Sequence, residues 1–430
     1  MSRSRSPLPS VPAASPPSTA AGAPTAALVS PALLAGARRI LFVTHLAIGD
    51  FTYLQSCLRA FKAAWPHIEI HLWVDERRRT EDPAAWPHLQ KYALFDWLAA
   101  CPWIAKVYDK TYSLATLAAS LQEARAQDYP LVATLTVVDG HRYARMARSI
   151  SPRGFIVGLK GAPERWFKGL SRHTSYRRLD GSVPLYQPGN CGGQHISDIY
   201  AGWFARFFGL DIPRQARFPV LDIPPEWLAR ARTQFGEWGI GERPAVFVNA
   251  FSKSPDRTWP LEHVAALIRA MAARPAWREA AFIVNTVPEA LAETRRMVRR
   301  QKDPAFERVR LFSAEEHFFQ LPAVMRLCSL VISVETAVMH LANAVQVPVI
   351  ALMRCTTPEW VPIDSDNSTV VMLAERDDWV TAIGVADVLA ALDARPPAAS
   401  GGGGFHLPDQ GVQRHRPAEQ VVLHAGAPVG

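Results

Sequence analysis

The sequence predicts an α/β protein of two parallel-sheet domains facing a central cleft. Three observations carry that expectation. Short β-prone runs alternate with helical segments along most of the chain, the pattern of parallel strands joined by crossover helices. The first run, Ile40-Leu41-Phe42-Val43, is apolar throughout, as a strand covered on both faces should be. The alternation breaks at Asp211–Pro225, where Pro213, Pro219, Pro224 and Pro225 exclude a regular element and mark a domain boundary.

The opening unit reads as a strand (Arg39–Thr44), a tight loop (His45–Asp50) and a helix beginning at Phe51. Leu54, Leu58 and Phe61 recur at helical spacing, and Gly49 is expected to make the turn. Strands follow at Ile68–Val74, Ile104–Tyr108, Pro130–Val137 and Phe155–Leu159, with helices at Leu89–Ala99, Leu114–Ala126, His141–Ser149 and Ile196–Phe208. Past the break, strands are expected at Ala245–Asn249, Ala281–Asn285, Arg308–Phe312, Leu330–Val334 and Pro348–Leu352. Helices are expected at Glu226–Trp238, Leu261–Ala272, Glu289–Arg300, Phe318–Leu327 and Thr336–Val345. The domains so defined are 37–215 and 216–376. A last helix within 377–395 is expected to cross back onto the first domain. Residues 1–36, rich in Pro, Ala and Ser, and 396–430, with Gly401–Gly404, read as disordered tails.

With 430 residues the chain has room for two cores. Its five cysteines are scattered without a C-x-x-C pair, which points to reduced thiols in a cytoplasmic protein and gives no support to a disulfide framework or a zinc site. No run approaches the roughly 18 apolar residues a membrane span requires. The net charge of +8 invites an acidic partner: nucleic acid, an anionic membrane face or a phosphorylated substrate.

Much of that charge lies between His141 and Arg178, where Arg142, Arg145 and Arg148 begin a run of cations opposed only by Glu164. The run admits a solvated face or a surface for an anionic acceptor or lipid headgroups, with Trp166, Phe167 and Leu170 among the charges. No nucleic-acid-binding motif accompanies it.

Four stretches could carry chemistry. Asp50 sits where a strand delivers its carboxyl end; it reads either as an N-cap or as a general base at a cleft edge. The loop Asn249–Pro260 holds Ser252, Lys253 and Arg257, suited to phosphate or to a plain βα connection. In Val331–Ala342 an apolar strand runs straight into a helix. The N–H groups of Thr336, Ala337 and Val338 would lie at its positive end, with Glu335 just before and His340 one turn on. His340 alone fits a packed side chain as well as a ligand. Met353–Trp360 follows another strand end and could be a simple turn.

The Leu-x-x-x-Gly-Asp loop, the segment Arg257-Thr-Trp-Pro-Leu-Glu-His-Val264 and the segment Val331-Ile-Ser-Val-Glu-Thr-Ala-Val-Met-His340 together resemble the heptosyltransferase family, glycosyltransferase family 9, over about residues 38–393. The resemblance implies a GT-B fold, two Rossmann-like domains, and an inverting transfer without a metal or other cofactor. It implies ADP-heptose as the typical donor. The acceptor it implies is the anionic inner core of lipopolysaccharide, met at the cytoplasmic face of the inner membrane; nucleic acid, for which the sequence has no motif, is not expected as a partner. It places the catalytic aspartate on Asp50 and donor contacts on Ser252, Lys253, Arg257, Glu335, Thr336, Ala337, Val338 and His340. The acceptor then falls to Arg142, Arg145 and Arg148. Glu335 and Ala337 depart from the family's usual Asp and Gly, and Arg354-Cys355-Thr356 from its usual Gly-Pro-Thr. Those departures leave room for a different nucleotide sugar, or for a catalytically silent binding protein.

Overall fold

The computed structural model describes residues 26–161 and 174–395, together with the backbone of 422–425. Expectations for 1–25, for most of 396–430 and for Arg165, Trp166, Phe167, Lys168, Leu170 and Arg172 lie outside the described residues.

The first domain is a six-stranded parallel sheet in the order β3-β2-β1-β4-β5-β6. Its strands are β1 (Arg39–Thr44), β2 (Glu69–Val74), β3 (Ile104–Tyr108), β4 (Leu131–Thr134), β5 (Phe155–Lys160) and β6 (Gly181–Pro184). Its helices include α1 (Pro31–Gly36), α2 (Ile48–Ala64), α3 (Trp86–Gln90), α4 (Ala93–Ala99), α5 (Leu114–Ala126), α6 (Gly140–Ile150) and α7 (Ile196–Phe208). The second domain is a seven-stranded sheet in the order β13-β12-β11-β10-β7-β8-β9, also parallel throughout. Its strands are β7 (Ala245–Asn249), β8 (Ala281–Asn285), β9 (Val309–Phe312), β10 (Leu330–Val334), β11 (Val349–Met353), β12 (Ser368–Leu373) and β13 (Val422–Ala425). The helices are α8 (Pro225–Glu237), α9 (Leu261–Ala272), α10 (Leu291–Arg300), α11 (Gln320–Arg326), α12 (Ala337–Ala344) and α13 (Val385–Asp393).

The strand order reverses between β1 and β4 in one sheet and between β10 and β7 in the other. Open α/β sheets bind ligands outside the strands' carboxyl ends at such reversals, where flanking loops diverge and leave a crevice. One apolar cluster runs from the first sheet through α2 and α7 to α11, α12 and the second sheet, so the two domains share a core. Trp97 of α4 stacks on Phe318 with centroids 5.0 Å apart, and the Phe318 N–H donates to Asp96 Oδ2 at 2.8 Å. These contacts fix the mutual orientation of the two domains.

Five expectations need correction. Helix α2 begins at Ile48, not Phe51, so Asp50 lies inside its first turn. Gly49 does not have a positive φ; its missing side chain serves a close approach instead. Residues 28–36 are packed, not disordered. Ser30 caps α1 with Pro31 at its start, and the Leu28 and Val29 N–H groups donate to the carbonyls of Arg206 and Phe207. In the other tail, Val422–Ala425 extends the second sheet beside β12, giving that edge a partner. Finally, α13 does not cross back. Val388, Ala391 and Leu392 pack with Val264, Leu267 and Ile268 of α9, because its apolar stripe matches the uncovered face of its own sheet.

Candidate active site

Asp50 stands at the first turn of α2. One carboxylate oxygen accepts the Ala47 N–H at 3.1 Å, and the other accepts the Tyr200 hydroxyl at 3.2 Å. Asp50 is therefore not the N-cap, a place held by Ala47; from the third position of the helix it accepts the N-cap's N–H through one oxygen. Burial pushes the carboxyl above the ordinary carboxylate value, and the two donors only partly offset it. A carboxylate partly withdrawn from water is a stronger base than a fully solvated one.

The start of α2 abuts the start of α12 from the other domain. A Cβ built on Gly49 would lie 3.7 Å from His340 Cδ2 and 4.0 Å from Ala337 Cα. Asp50 is the next residue along α2, one step from this contact between the domains. Three residues on, the Tyr53 hydroxyl pairs with His340 Nδ1 at 2.9 Å, and their rings meet edge to face at 5.0 Å. Burial, followed by nearby His195, holds His340 down at about 3, so its ring is neutral at ordinary pH. His340 acts as a seam between domains, closer to the packed reading than to the ligand reading.

On the second domain, loops after β7, β10 and β11 converge at the reversal. Thr336 caps α12 by accepting the Val338 N–H at 3.3 Å, so the Val338 amide is spent on the cap. The amides of Thr336 and Ala337 are left as those on which an anion could rest. Asn249, at the end of β7, donates to both Ser333 Oγ and Thr336 Oγ1 at 3.0 Å and accepts from Asn285 at 2.8 Å. This buried amide relay across β8, β7 and β10 orients the Thr336 hydroxyl. Sequence reading had missed it, although two asparagines ending neighbouring strands were visible.

Glu335, 7% exposed, is already engaged. It accepts the Arg354 N–H and Nε–H at 3.4 and 3.3 Å and the Thr357 hydroxyl at 3.2 Å, and it lies 3.9 Å from Arg257. Arg257 Nε is buried and has no hydrogen-bond partner among the described residues. Ser252 and exposed Lys253 line an open recess of about 430 Å³ with Thr258 and Thr381. Of the predicted donor residues, Arg257 comes within 3.9 Å of Glu335, next to which Thr336 caps α12, while His340 turns to Tyr53. Among the described residues, no three His, Cys, Asp or Glu side chains cluster as metal ligands.

At the carboxyl end of the first sheet a cavity of about 480 Å³ is lined by Arg77, Arg79, Arg142, Tyr143 and Arg145 with Asp75 and Asp139. Arg79 pairs with Asp75 at 2.6 Å, and Arg77 and Arg142 approach Asp139 at 3.5 and 4.0 Å. Four guanidinium groups against two carboxylates leave an excess of positive charge suited to an anion. Arg148 does not join them. It donates to the carbonyls of Arg178, Pro152 and Gly154 and pairs with Asp180 at 2.7 Å, which makes it a strut between α6 and the segment before β6. Arg77 and Arg79, in the loop after β2, line the cavity instead.

Two parallel α/β domains packed across a cleft make a GT-B architecture. Residues 186–379 match the family model described as glycosyltransferase family 9 (heptosyltransferase). Over those residues the chain is similar to that family. A comparison with curated proteins gives no match. Among solved structures, the glycosyl transferase family 9 protein from Veillonella parvula DSM 2008 superposes with a TM-score of 0.65 at 17% identity, covering 83% of this chain and 96% of that one. ADP-heptose lps heptosyltransferase II from E. coli gives 0.60 at 16%, covering 83% and 98%. E. coli heptosyltransferase WaaC with ADP-2-deoxy-2-fluoro heptose gives 0.54 at 18%, covering 83% and 99%.

Proposed function

We propose that this chain is a glycosyltransferase that inverts the anomeric centre of a heptose or related sugar. It would take that sugar from a nucleoside-diphosphate donor of the ADP-heptose kind and deliver it to an anionic, lipopolysaccharide-core-type glycolipid. The observation that carries the reading is the approach of Gly49, the neighbour of Asp50, to Ala337 and His340 across the cleft. Asp50 takes the proton of the acceptor hydroxyl as its oxygen bonds to the anomeric carbon. The bond from that carbon to the diphosphate breaks, and the nucleoside diphosphate leaves with the electron pair. The departing charge is met by Arg257, Lys253, the Ser252 hydroxyl and the α12 terminus, with no metal or other cofactor assigned a part. The WaaC structure named above carries an ADP-sugar analogue, which supports the donor class. Reaction at the cytoplasmic face of the inner membrane would suit the acceptor; among the described residues no helix is long and apolar enough to cross a membrane.

The direct test is transfer. Incubation with ADP-heptose and a heptose-free lipopolysaccharide core should give a product one heptose heavier by mass spectrometry, with inverted anomeric configuration by NMR. A second reading, a different sugar or nucleotide, is favoured by the engagement of Glu335 with Arg354, Thr357 and Arg257, which leaves it less free for a heptose hydroxyl. A thermal-shift panel of nucleotide sugars separates the two. The true donor at 100 times its Kd should add about 2.7 kcal/mol of stability, and near-silence from ADP-heptose beside a strong response to another sugar would decide for the second.

For the acceptor, Arg142→Glu combined with Arg145→Glu should raise the acceptor KM by about 10-fold or more while leaving the donor KM unchanged. Arg148→Ala should leave both constants alone and lower the Tm, because it cuts a strut. Equal effects of the two variants on acceptor KM would remove the assignment of the cavity.

A further inference from the structure

The polar groups around Glu335 form a pattern that a resting structural network does not require. Arg354 follows β11 directly, and Glu335 grips both its backbone N–H and its Nε–H through the same oxygen. That grip sets the direction of the guanidinium but engages only its inner edge. The outer edge, through Nη1, meets Asp256 Oδ2, which belongs to a different loop, the one after β7. Asp256 is itself steadied by the Ser254 hydroxyl. Next to Asp256 in sequence, Arg257 has its Nε buried without a partner among the described residues, and its Nη1 is 3.9 Å from Glu335. Two guanidinium groups and a helix terminus therefore converge at the strand-order reversal, and one of the two is occupied at its outer edge by a carboxylate from a neighbouring loop.

We propose that Arg354 is a donor-diphosphate contact held ready by Asp256, whose carboxylate occupies the place a phosphate oxygen takes when the donor binds. This rests on the donor reading above and adds to it a residue that determines affinity for the diphosphate. An arginine fork matches the paired oxygens of a diphosphate. Glu335 keeps the fork aimed while Asp256 is the exchangeable partner, so the cation is never left unpaired in the empty site. Asp256 is then an internal competitor: it lowers donor affinity, and by the same competition it speeds release of the spent nucleoside diphosphate.

The experiment measures binding of ADP, UDP, inorganic pyrophosphate and adenosine to the full chain by calorimetry, for wild type, D256N, R354A, R354K and the double variant D256N/R354A. Removing the competitor should tighten nucleoside diphosphate and pyrophosphate binding by about 3- to 10-fold and leave adenosine unchanged. R354A should weaken diphosphate binding by about 10-fold, and R354K should recover part of the loss. In the double variant the gain should vanish. Wild-type binding with no gain in D256N, or a gain that survives in D256N/R354A, would overturn the role of Arg354 while leaving the donor reading in place. No binding of any nucleoside diphosphate by folded wild type would instead take down the donor reading and this inference together.

Discussion

Asp50→Asn should lower kcat by about 10²- to 10⁴-fold, the range expected for loss of a general base, with donor affinity within about 2-fold of wild type. Asparagine keeps the shape and can still accept from Ala47 or Tyr200, the two groups that hold the carboxylate, but it cannot take a proton. The pH dependence gives a second readout. The wild-type rate should fall toward acid with a midpoint above the ordinary carboxylate value, because burial raises the Asp50 pKa, and that limb should be absent from the residual activity of the variant. Stability should move the other way. A carboxyl whose pKa is raised on folding stabilises the fold when protonated. That contribution is whole below the unfolded value near 3.8 and is lost as pH rises through the folded value. At neutral pH the wild type therefore carries a half-buried charge that Asn lacks, and the Tm of the variant should equal or exceed that of wild type. Full turnover in the variant would return Asp50 to its capping role alone.

The fold was legible because its strands advertise burial. Ala245–Asn249, Ala281–Asn285 and Leu330–Val334 occur where their apolar runs place them, and Leu114–Ala126, Ile196–Phe208 and Leu261–Ala272 are helices end to end. What escaped has physical reasons in some places and none in others. Gly181–Pro184 is short and carries both residues that discourage strands, tolerated because β6 is an edge with Pro at its end. Ser368–Leu373, by contrast, is buried along its whole length and as β-prone as β11; nothing in its chemistry concealed it.

The site was legible where backbone geometry dictates the residue and illegible where distant side chains meet. A strand running into a helix announces that the amides after Glu335 lie at a helix terminus, and the structure adds that Thr336 caps it. No local rule announces that Asp96 will hold Phe318, or that Tyr200 will hold Asp50, because those partners are brought together only by packing of the two domains. Arg148 shows the reverse error. As one of a run of cations it looked like its neighbours, and only the carbonyls of Arg178, Pro152 and Gly154 around it turn it from a ligand arm into a strut. The departures Glu335 and Arg354 were each visible as single positions, but their contact makes them one feature: a longer acid reaching a cation that a glycine would not supply.

Gly49 offers the sharpest test of the seam between domains. Gly49→Ala should be tolerated. Its Cβ would make an ordinary contact 3.7 Å from the His340 ring, and alanine's better helix propensity should stabilise the fold by a few tenths to about 1 kcal/mol. Gly49→Val carries two further carbons, and at least one must press on His340 or Ala337, neither of which can retreat. His340 is 3% exposed and held by Tyr53, while at Ala337 the near atom is backbone. Relief has to come from moving α2 away from α12, an overpacking that costs about 1 to 3 kcal/mol. That movement carries Asp50 away from the donor terminus, and a misplacement of about 1 Å in such a geometry costs about 10²-fold in rate. The expected outcome is a folded protein with Tm lowered by several degrees, donor affinity little changed and kcat down by about 100-fold. Wild-type kcat in Gly49→Val would mean that the approach of the two helix termini has no part in turnover, and the carboxylate and the phosphate cradle would then have to work in some other arrangement.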